Sequence, residues 1–170
     1  MNNLVKLIWI AAAGGTLLLN AASAAVDSVR IGWSQLRGGQ DAGETLSWNL
    51  QGKQIELAGY VLPVDREGDL VYEFLLLPMT GVCSHVPPPP ANQIIHVFPA
   101  RPFKLTEIYE PVAVTGALNL GLTKTQLFVL DGVTVIESGY SVGKAKVART
   151  ENVPDAVPQR QVTPWNFLAK

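Results

Sequence analysis

The fold is decided by residues 55–77, which read IELAGYVLPVDREGDLVYEFLLL. The run from Ile55 to Pro63 is mostly apolar and ends at a proline, and Leu70 to Leu77 resumes an extended apolar pattern. Between these runs, Asp65 to Asp69 is a charged segment that contains a glycine. Two such runs joined by a short polar segment with glycine predict a β-hairpin.

The rest of the chain also reads as short strands with glycine turns, and almost no helical period is present. Further strand-like runs cover residues 29–33, 93–98, 112–118, 126–130, 133–136 and 140–147. This pattern predicts a mainly β fold: a small OB-like β-barrel with a proline-rich loop and an irregular C-terminal tail. Gly59 and Gly116 lie inside strands and are typical of the bends that a curved sheet needs, although a flatter sandwich also fits the pattern.

Large apolar residues outside the hairpin give expectations for the core. Four of them lie in the entry segment, residues 26–52, and are expected to cap one end of the core: Trp33, Leu36, Trp48 and Leu50. Aromatic residues in strands usually pack in a core or against a sheet face. We therefore expect four aromatic residues of the predicted strands in such positions: Tyr60, Tyr72, Phe74 and Phe98.

Residues 1–24 read as an export signal peptide. Lys6 precedes a 13-residue apolar run from Leu7 to Leu19, and Ala22-Ser23-Ala24 supplies the small-residue cleavage pattern. The apolar run is too short for a spanning helix, which needs about 20 apolar residues. We therefore expect a periplasmic protein, cleaved near Ala24, with no stable membrane insertion after cleavage.

The remainder is expected to form a single β-barrel domain, residues 25–149, followed by a C-terminal tail, residues 150–170. The sequence has 13 Lys and Arg residues against 14 Asp and Glu residues, and removal of Lys6 leaves 12 basic residues. No run of like charge is present, which argues against nucleic acid as a partner. No basic amphipathic helix is visible either, which argues against binding to a membrane surface.

The segment 79–96, MTGVCSHVPPPPANQIIH, contains the only cysteine, both histidines and the only methionine besides Met1. Residues two apart in an extended segment project to the same side, so Cys83 and His85 can chelate one ion together. A single cysteine in an exported chain also has no internal disulfide partner. We therefore predict a metal site in this segment, with four candidate ligands: Cys83, His85, His96 and Met79.

The donor types in this segment indicate which metals fit. Thiolate, imidazole and thioether together suit copper, and thiolate with imidazoles and a carboxylate suits zinc. Glu73 or Asp65 could supply that carboxylate. A stiff rod of four prolines, Pro87, Pro88, Pro89 and Pro90, would carry the chain across the domain and return His96 on the next strand.

The motif G-x-C-x-H-x-P-P-P-P-x-N-Q at residues 81–93, preceded by EFLLLP at residues 73–78, resembles an exported bacterial group catalogued as domain-of-unknown-function family 3299. GYVLP at residues 59–63 and PVAVTG at residues 111–116 also match its pattern, so the resemblance covers residues 29–147. It implies a small exported protein of a group associated in part with envelope transport systems of the ABC type and with metal supply.

The resemblance also ranks the candidate residues. It carries over Cys83, His85, Asn92 and Gln93, and it makes Met79 and His96 optional members. We expect a binding or accessory protein rather than an enzyme, with zinc or copper as its ligand and an envelope transport system or another periplasmic protein as its partner.

Three other interpretations of the proline-rich loop stay open. Cys83 can be a small buried filler while Asn92 and Gln93 satisfy backbone groups, which is a structural role. A cysteine activated by His85 would instead serve a thiol-dependent hydrolase or a redox enzyme. An exposed run of prolines is also a preformed ligand for aromatic grooves, which would make the protein a partner-docking module.

Overall fold

The computed structural model describes residues 27–38, 45–81, 88–129 and 132–155 of the 170-residue chain. In this part of the chain seven strands follow one another: β1 Val29–Arg30, β2 Gln54–Glu67, β3 Leu70–Leu77, β4 Ile95–Pro99, β5 Phe103–Lys104, β6 Pro111–Val129 and β7 Gly132–Arg149. The helices are three short 3-10 turns among these residues: Trp33–Leu36, Trp48–Leu50 and Ala91–Gln93. The predicted mainly β class is confirmed. None of the described helices is long and apolar enough to span a bilayer.

β2 and β3 form the predicted antiparallel hairpin. Their register runs from Tyr60 opposite Leu77 to Glu67 opposite Leu70. The turn contains Gly68 with φ +58°, a left-handed conformation that glycine adopts at no steric cost. The register shifts twice along the hairpin, once on each side of the pair formed by Asp65 and Glu73. Register shifts of this kind bend a strand and change the direction of nearby side chains.

Backbone pairings connect five of the strands in a closed cycle. β2 pairs with β3 on one side and with β6 on the other, β6 pairs with β7, β7 with β4, and β4 with β3. These pairings are antiparallel except the one between β4 and β7, which is parallel. β1 pairs with β2 in parallel orientation, and β5 pairs with the start of β3.

β6 and β7 are longer than the sequence indicates, because the short predicted runs join into one long hairpin. The register shifts between Thr115 and Leu118 and again between Leu120 and Thr123. Gly116 lies at the first shift, where a Cβ atom would be 2.5 Å from Cγ1 of Val142. Two residues of the turn between the strands, 130 and 131, lie outside the described part of the chain.

The entry segment differs from its expected role in one residue. Trp33, Leu36 and Leu50 are buried, but Trp48 is 72% exposed, so the prediction that it caps the core is wrong. Trp48 and Leu50 belong to one 3-10 turn, in which residues two apart point in different directions. Leu50 therefore faces the core and Trp48 faces solvent.

Trp33 shows what the glycine in β2 does. A Cβ atom on Gly59 would lie 2.7 Å from both Cζ2 of Trp33 and Cγ of Leu76. The indole Nε1 donates to the carbonyl of Ala58 at 2.8 Å. Gly59 therefore gives Trp33 room against the strand, and β2 keeps a regular register with β6 at this point.

The apolar interior has two parts. The main core takes residues from all five strands of the cycle and includes Phe74, Leu76, Ile95 and Val97 from β3 and β4. A second cluster covers the opposite side of the same strands and contains Leu75, Leu77, Ile94, Leu127 and Ile136. Because Leu127 and Ile136 belong to β6 and β7, the far end of that hairpin packs on β3. We call residues 123–129 and 132–138 the arm.

Other aromatic residues are only partly buried. Phe74 is fully buried as expected, but Tyr72 is 40% exposed and Phe98 is 41% exposed. Residues 156–170, with Trp165 and Phe167, lie outside the described residues.

Candidate functional site

The connection between β3 and β4 carries the sequence-predicted site. Leu76 pairs with Ile95, so the chain leaves β3 and enters β4 at the same end of this antiparallel pair. Residues 82–87, which include Cys83, His85 and Pro87, lie outside the described residues. The described portion resumes at Pro88, Pro89 and Pro90 and continues into the 3-10 turn Ala91–Gln93.

His96 lies next to this connection, and its ring contacts the carboxylate of Glu73. It is the second residue of β4 and pairs with Leu75 of β3 and Ser141 of β7. Its side chain is 6% exposed, and Nε2 is 2.5 Å from Oε1 of Glu73, whose side chain is 27% exposed. An ionised carboxylate only accepts hydrogen bonds, so in this contact Nε2 carries the hydrogen and donates it. In the neutral imidazole with the hydrogen on Nε2, Nδ1 is the ring nitrogen whose lone pair could bind an ion.

Glu73 lies in the irregular part of the β2–β3 hairpin, and by alternation it is on the side of β3 that also carries Leu75 and Leu77. Glu73 pairs with Asp65, and the register shifts immediately before and after this pair. Such shifts are common beside functional sites, where they redirect a side chain. They also place two carboxylate-bearing residues directly opposite each other, an arrangement that is normally destabilising. A nearby cation would offset this repulsion.

Phe98 covers the imidazole. The rings of His96 and Phe98 stack with their centroids 4.6 Å apart and an angle of 29° between their planes. His96 and Phe98 are separated by one residue on β4, so their side chains lie on the same side of the strand, as the alternation in the sequence predicts. Phe98 pairs with Gly143 of β7, where an added Cβ atom would meet no other atom within 4 Å. Phe98 is 41% exposed, so part of its ring faces solvent.

Asn92 and Gln93 hold the end of the connection in place. Nδ2 of Asn92 donates to the carbonyl of Thr45 at 3.3 Å, and Nε2 of Gln93 donates to the carbonyl of Trp33 at 3.0 Å. Both side chains are buried. Oε1 of Gln93 has no hydrogen-bond partner among the described residues, so this buried acceptor is available to a donor from elsewhere in the chain or from solvent.

The structure brings together only some of the predicted site residues. Glu73 and His96 are in contact, whereas Met79 is half-buried in the bend after β3 and does not belong to the residues paired with His96. Within the described ranges, no group of three or more His, Cys, Asp or Glu side chains could hold a metal ion. A complete ligand set would therefore need donors from residues 82–87.

Sequence reasoning named Glu73 as one of two possible carboxylates but did not pair it with His96. It also missed the stacking of Phe98 on His96. The available signal was the alternation of His96 and Phe98 along one strand. Glu73 comes beside His96 because β3 and β4 are neighbours in regular register, and the sequence alone does not show which strands pair.

Comparisons with known proteins gave a family match and a structural match. A family described as a protein of unknown function, DUF3299, matches residues 32–149. A solved structure, a DUF3299 family protein from Pseudomonas aeruginosa PAO1, is 28% identical, with a TM-score of 0.57. The match covers 74% of this chain and 98% of that protein. The chain shows no significant similarity to any curated protein.

Proposed function

Because the chain belongs to the DUF3299 family, whose function is unknown, we propose a function from its own side chains: it is a periplasmic accessory protein that binds one zinc or copper ion beside His96. The observation that carries the proposal is the contact between the buried His96 ring and Glu73. Metal-binding histidines commonly donate their second ring N–H to a carboxylate, which fixes the orientation of the ring and raises its basicity.

The remaining ligands would come from the proline-rich loop. Cys83 and His85 supply a thiolate and an imidazole, and their spacing lets an extended segment direct both to one ion. Together with His96 this set suits either zinc or copper, and Met79 would add a thioether that favours copper. The acidic pair of Asp65 and Glu73 favours a bound cation in either case.

We further propose that the domain is an OB-like barrel whose ligand-binding side carries the site. The support is the closed cycle of five paired strands. OB folds bind ligands on their second and third strands, between the first and the fourth connecting loops. In the cycle, β3 and β4 are the second and third strands, and they carry Glu73, His96 and Phe98.

Export to the periplasm and service to an ABC-type transport system are part of the proposal. They rest on the predicted signal peptide of residues 1–24 and on the family resemblance.

Elemental analysis of protein purified natively from the periplasm tests the metal site. We expect near-stoichiometric zinc or copper in the natural protein and none in the Cys83→Ser, His85→Ala double variant. Glu73→Gln should weaken metal affinity roughly 10- to 100-fold, as expected for a residue that orients a ligand. The matched control is Glu67→Gln on the same hairpin, which should bind metal normally. Absence of metal in the natural protein, both as purified and after titration with zinc and copper, would refute the proposal.

One observation favours a second candidate, the partner-docking module. Pro88 and Pro90 are exposed, while Asn92 and Gln93 immediately after them are buried and bonded to backbone carbonyls. The proline run thus has a fixed base and a solvent-facing surface, as a preformed ligand for an aromatic groove requires.

Replacement of Pro88, Pro89 and Pro90 by serine tests this candidate. If the prolines dock a partner, the variant should keep its thermal stability and metal content but lose a co-purifying envelope protein. Retention of that protein by the variant would exclude this role.

A further inference from the structure

Side chains of the arm alternate between an inner side, which packs on the rest of the domain, and an outer side. Leu127 and Ile136 pack in the second apolar cluster, and Thr125 and Ser138 are buried on the same side. The arm therefore has a fixed position against β3, and its opposite side faces solvent.

The solvent-facing side of the arm is unusually apolar at its tip. Phe128 is 87% exposed, and it pairs directly with Val133, which is 58% exposed. Val135, two residues further along β7, is 53% exposed. Single exposed apolar residues are ordinary, but a contiguous apolar group on a rigid surface marks an interaction site.

The same side continues into a pair of opposite charges. Lys124 of β6 pairs directly with Glu137 of β7, and both side chains are exposed. The outer face of the arm therefore presents an apolar tip followed by one positive and one negative residue side by side. A face with this charge arrangement is complementary to a copy of itself rotated by a two-fold axis, because the lysine of each copy then meets the glutamate of the other.

We propose that the outer face of the arm, residues 124, 126 and 128 of β6 with 133, 135 and 137 of β7, is the interface of a homodimer. Phe128, Val133 and Val135 of the two copies pack together at the tip end of this face. Lys124 and Glu137 of each copy pair across it. Surfaces of large single-sign charge, which would favour an anionic membrane, are absent from this described face.

The size of the face sets the expected strength. Five residues of strand, Lys124 to Phe128, extend about 14 Å at about 3.4 Å per residue. A two-stranded face of this length is much smaller than the roughly 800 Å² that each partner buries in a standard interface. The dimer should therefore be weak, with a dissociation constant in the micromolar range or above, and it should be measured at high protein concentration.

Sedimentation equilibrium of the purified protein over a wide concentration range, in reducing buffer, tests the proposal. The reducing buffer prevents a disulfide between the single cysteines of two chains. We expect reversible self-association that Phe128→Ser weakens at least tenfold. The matched control is Ile108→Ser, which removes another exposed apolar residue, 52% exposed, and should leave association unchanged.

Charge reversal gives the more specific test. Lys124→Glu and Glu137→Lys should each weaken self-association, because each variant places like charges across the two-fold axis. An equimolar mixture of the two variants should associate again, since every contact between the chains then joins opposite charges while each arm alone keeps like charges. Thermal unfolding of each variant checks that the arm remains folded.

Two results would overturn the proposal. One is a natural protein that stays monomeric at every concentration, including the case in which it co-sediments with lipid vesicles instead. The other is a mixture of the two charge variants that associates no more than either variant alone.

Discussion

The hydroxyl of Tyr140 joins the entry segment to the centre of the sheet, and its removal offers a quantitative test of the fold. Tyr140 lies on β7 and is fully buried. Its hydroxyl accepts a hydrogen bond from the backbone N–H of Ser47 and donates one to the carbonyl of Leu36, both at 2.6 Å. Tyr140→Phe keeps the ring and removes only the oxygen that satisfies these two backbone groups.

The expected cost follows from the two groups left without a partner. Each buried polar group that loses its partner costs about 1–3 kcal/mol, so with two such groups Tyr140→Phe should lower the free energy of unfolding by about 2–6 kcal/mol. Domains of this size are stable by about 5–15 kcal/mol, so the loss is a large fraction of the total. The melting temperature should fall by roughly 10 °C.

Equilibrium unfolding in urea, followed by tryptophan fluorescence, measures the difference. Tyr72→Phe is the matched control. Tyr72 is 40% exposed, so its hydroxyl can bond to water in the natural protein and its loss leaves no buried group without a partner. This control should change stability by no more than about 0.5 kcal/mol. If Tyr140→Phe is equally mild, the two hydrogen bonds do not hold the entry segment, and burial of Trp33 and Leu36 must be sufficient.

Three further changes test other parts of the structure. Glu110 is buried, bonded to Arg149 and to a backbone N–H, so Glu110→Gln should destabilise the fold by about 2 kcal/mol in urea unfolding, and an unchanged midpoint would contradict this. Gly116→Ala should cost about 1–3 kcal/mol because its Cβ atom would overlap a valine of β7, whereas Gly121→Ala, with open space around it, should be nearly neutral; equal effects would show that the glycine is not needed for packing. Alkylation of Cys83 should be slow in metal-loaded protein and faster after chelation, and a fast rate that chelators do not change would favour the reactive-thiol interpretation.

The strands near the site could be predicted because their apolar pattern matches their burial. The hairpin of β2 and β3 has its predicted position, since residues on both sides of β3 are buried and read as a continuous apolar run. In the structural interpretation of the loop Asn92 and Gln93 satisfy backbone groups, and both side chains bond to backbone carbonyls, those of Thr45 and Trp33.

Long-range structure could not be predicted in the same way. Residues 119–125 lie between two predicted strands, but they continue β6 because β7 pairs along it. Trp48 was expected in the core because of its size, yet the 3-10 turn directs it outwards. The contact between Glu73 and His96 joins side chains on one face of neighbouring strands, and the pairing of β3 with β4 that makes them neighbours cannot be read from the sequence.

The parallel pairing of β4 with β7 has a consequence for the order in which the chain can fold. Ile95 pairs with Tyr140, 45 positions later in the chain, so this contact must wait until the last strand is available. Contacts of large sequence separation form slowly. Until β7 arrives, β4 and β6 each have an unpaired edge, and Leu75, Leu77 and Ile94 lack the arm that covers them. A truncated chain that ends before residue 132 should therefore aggregate rather than form a smaller stable domain.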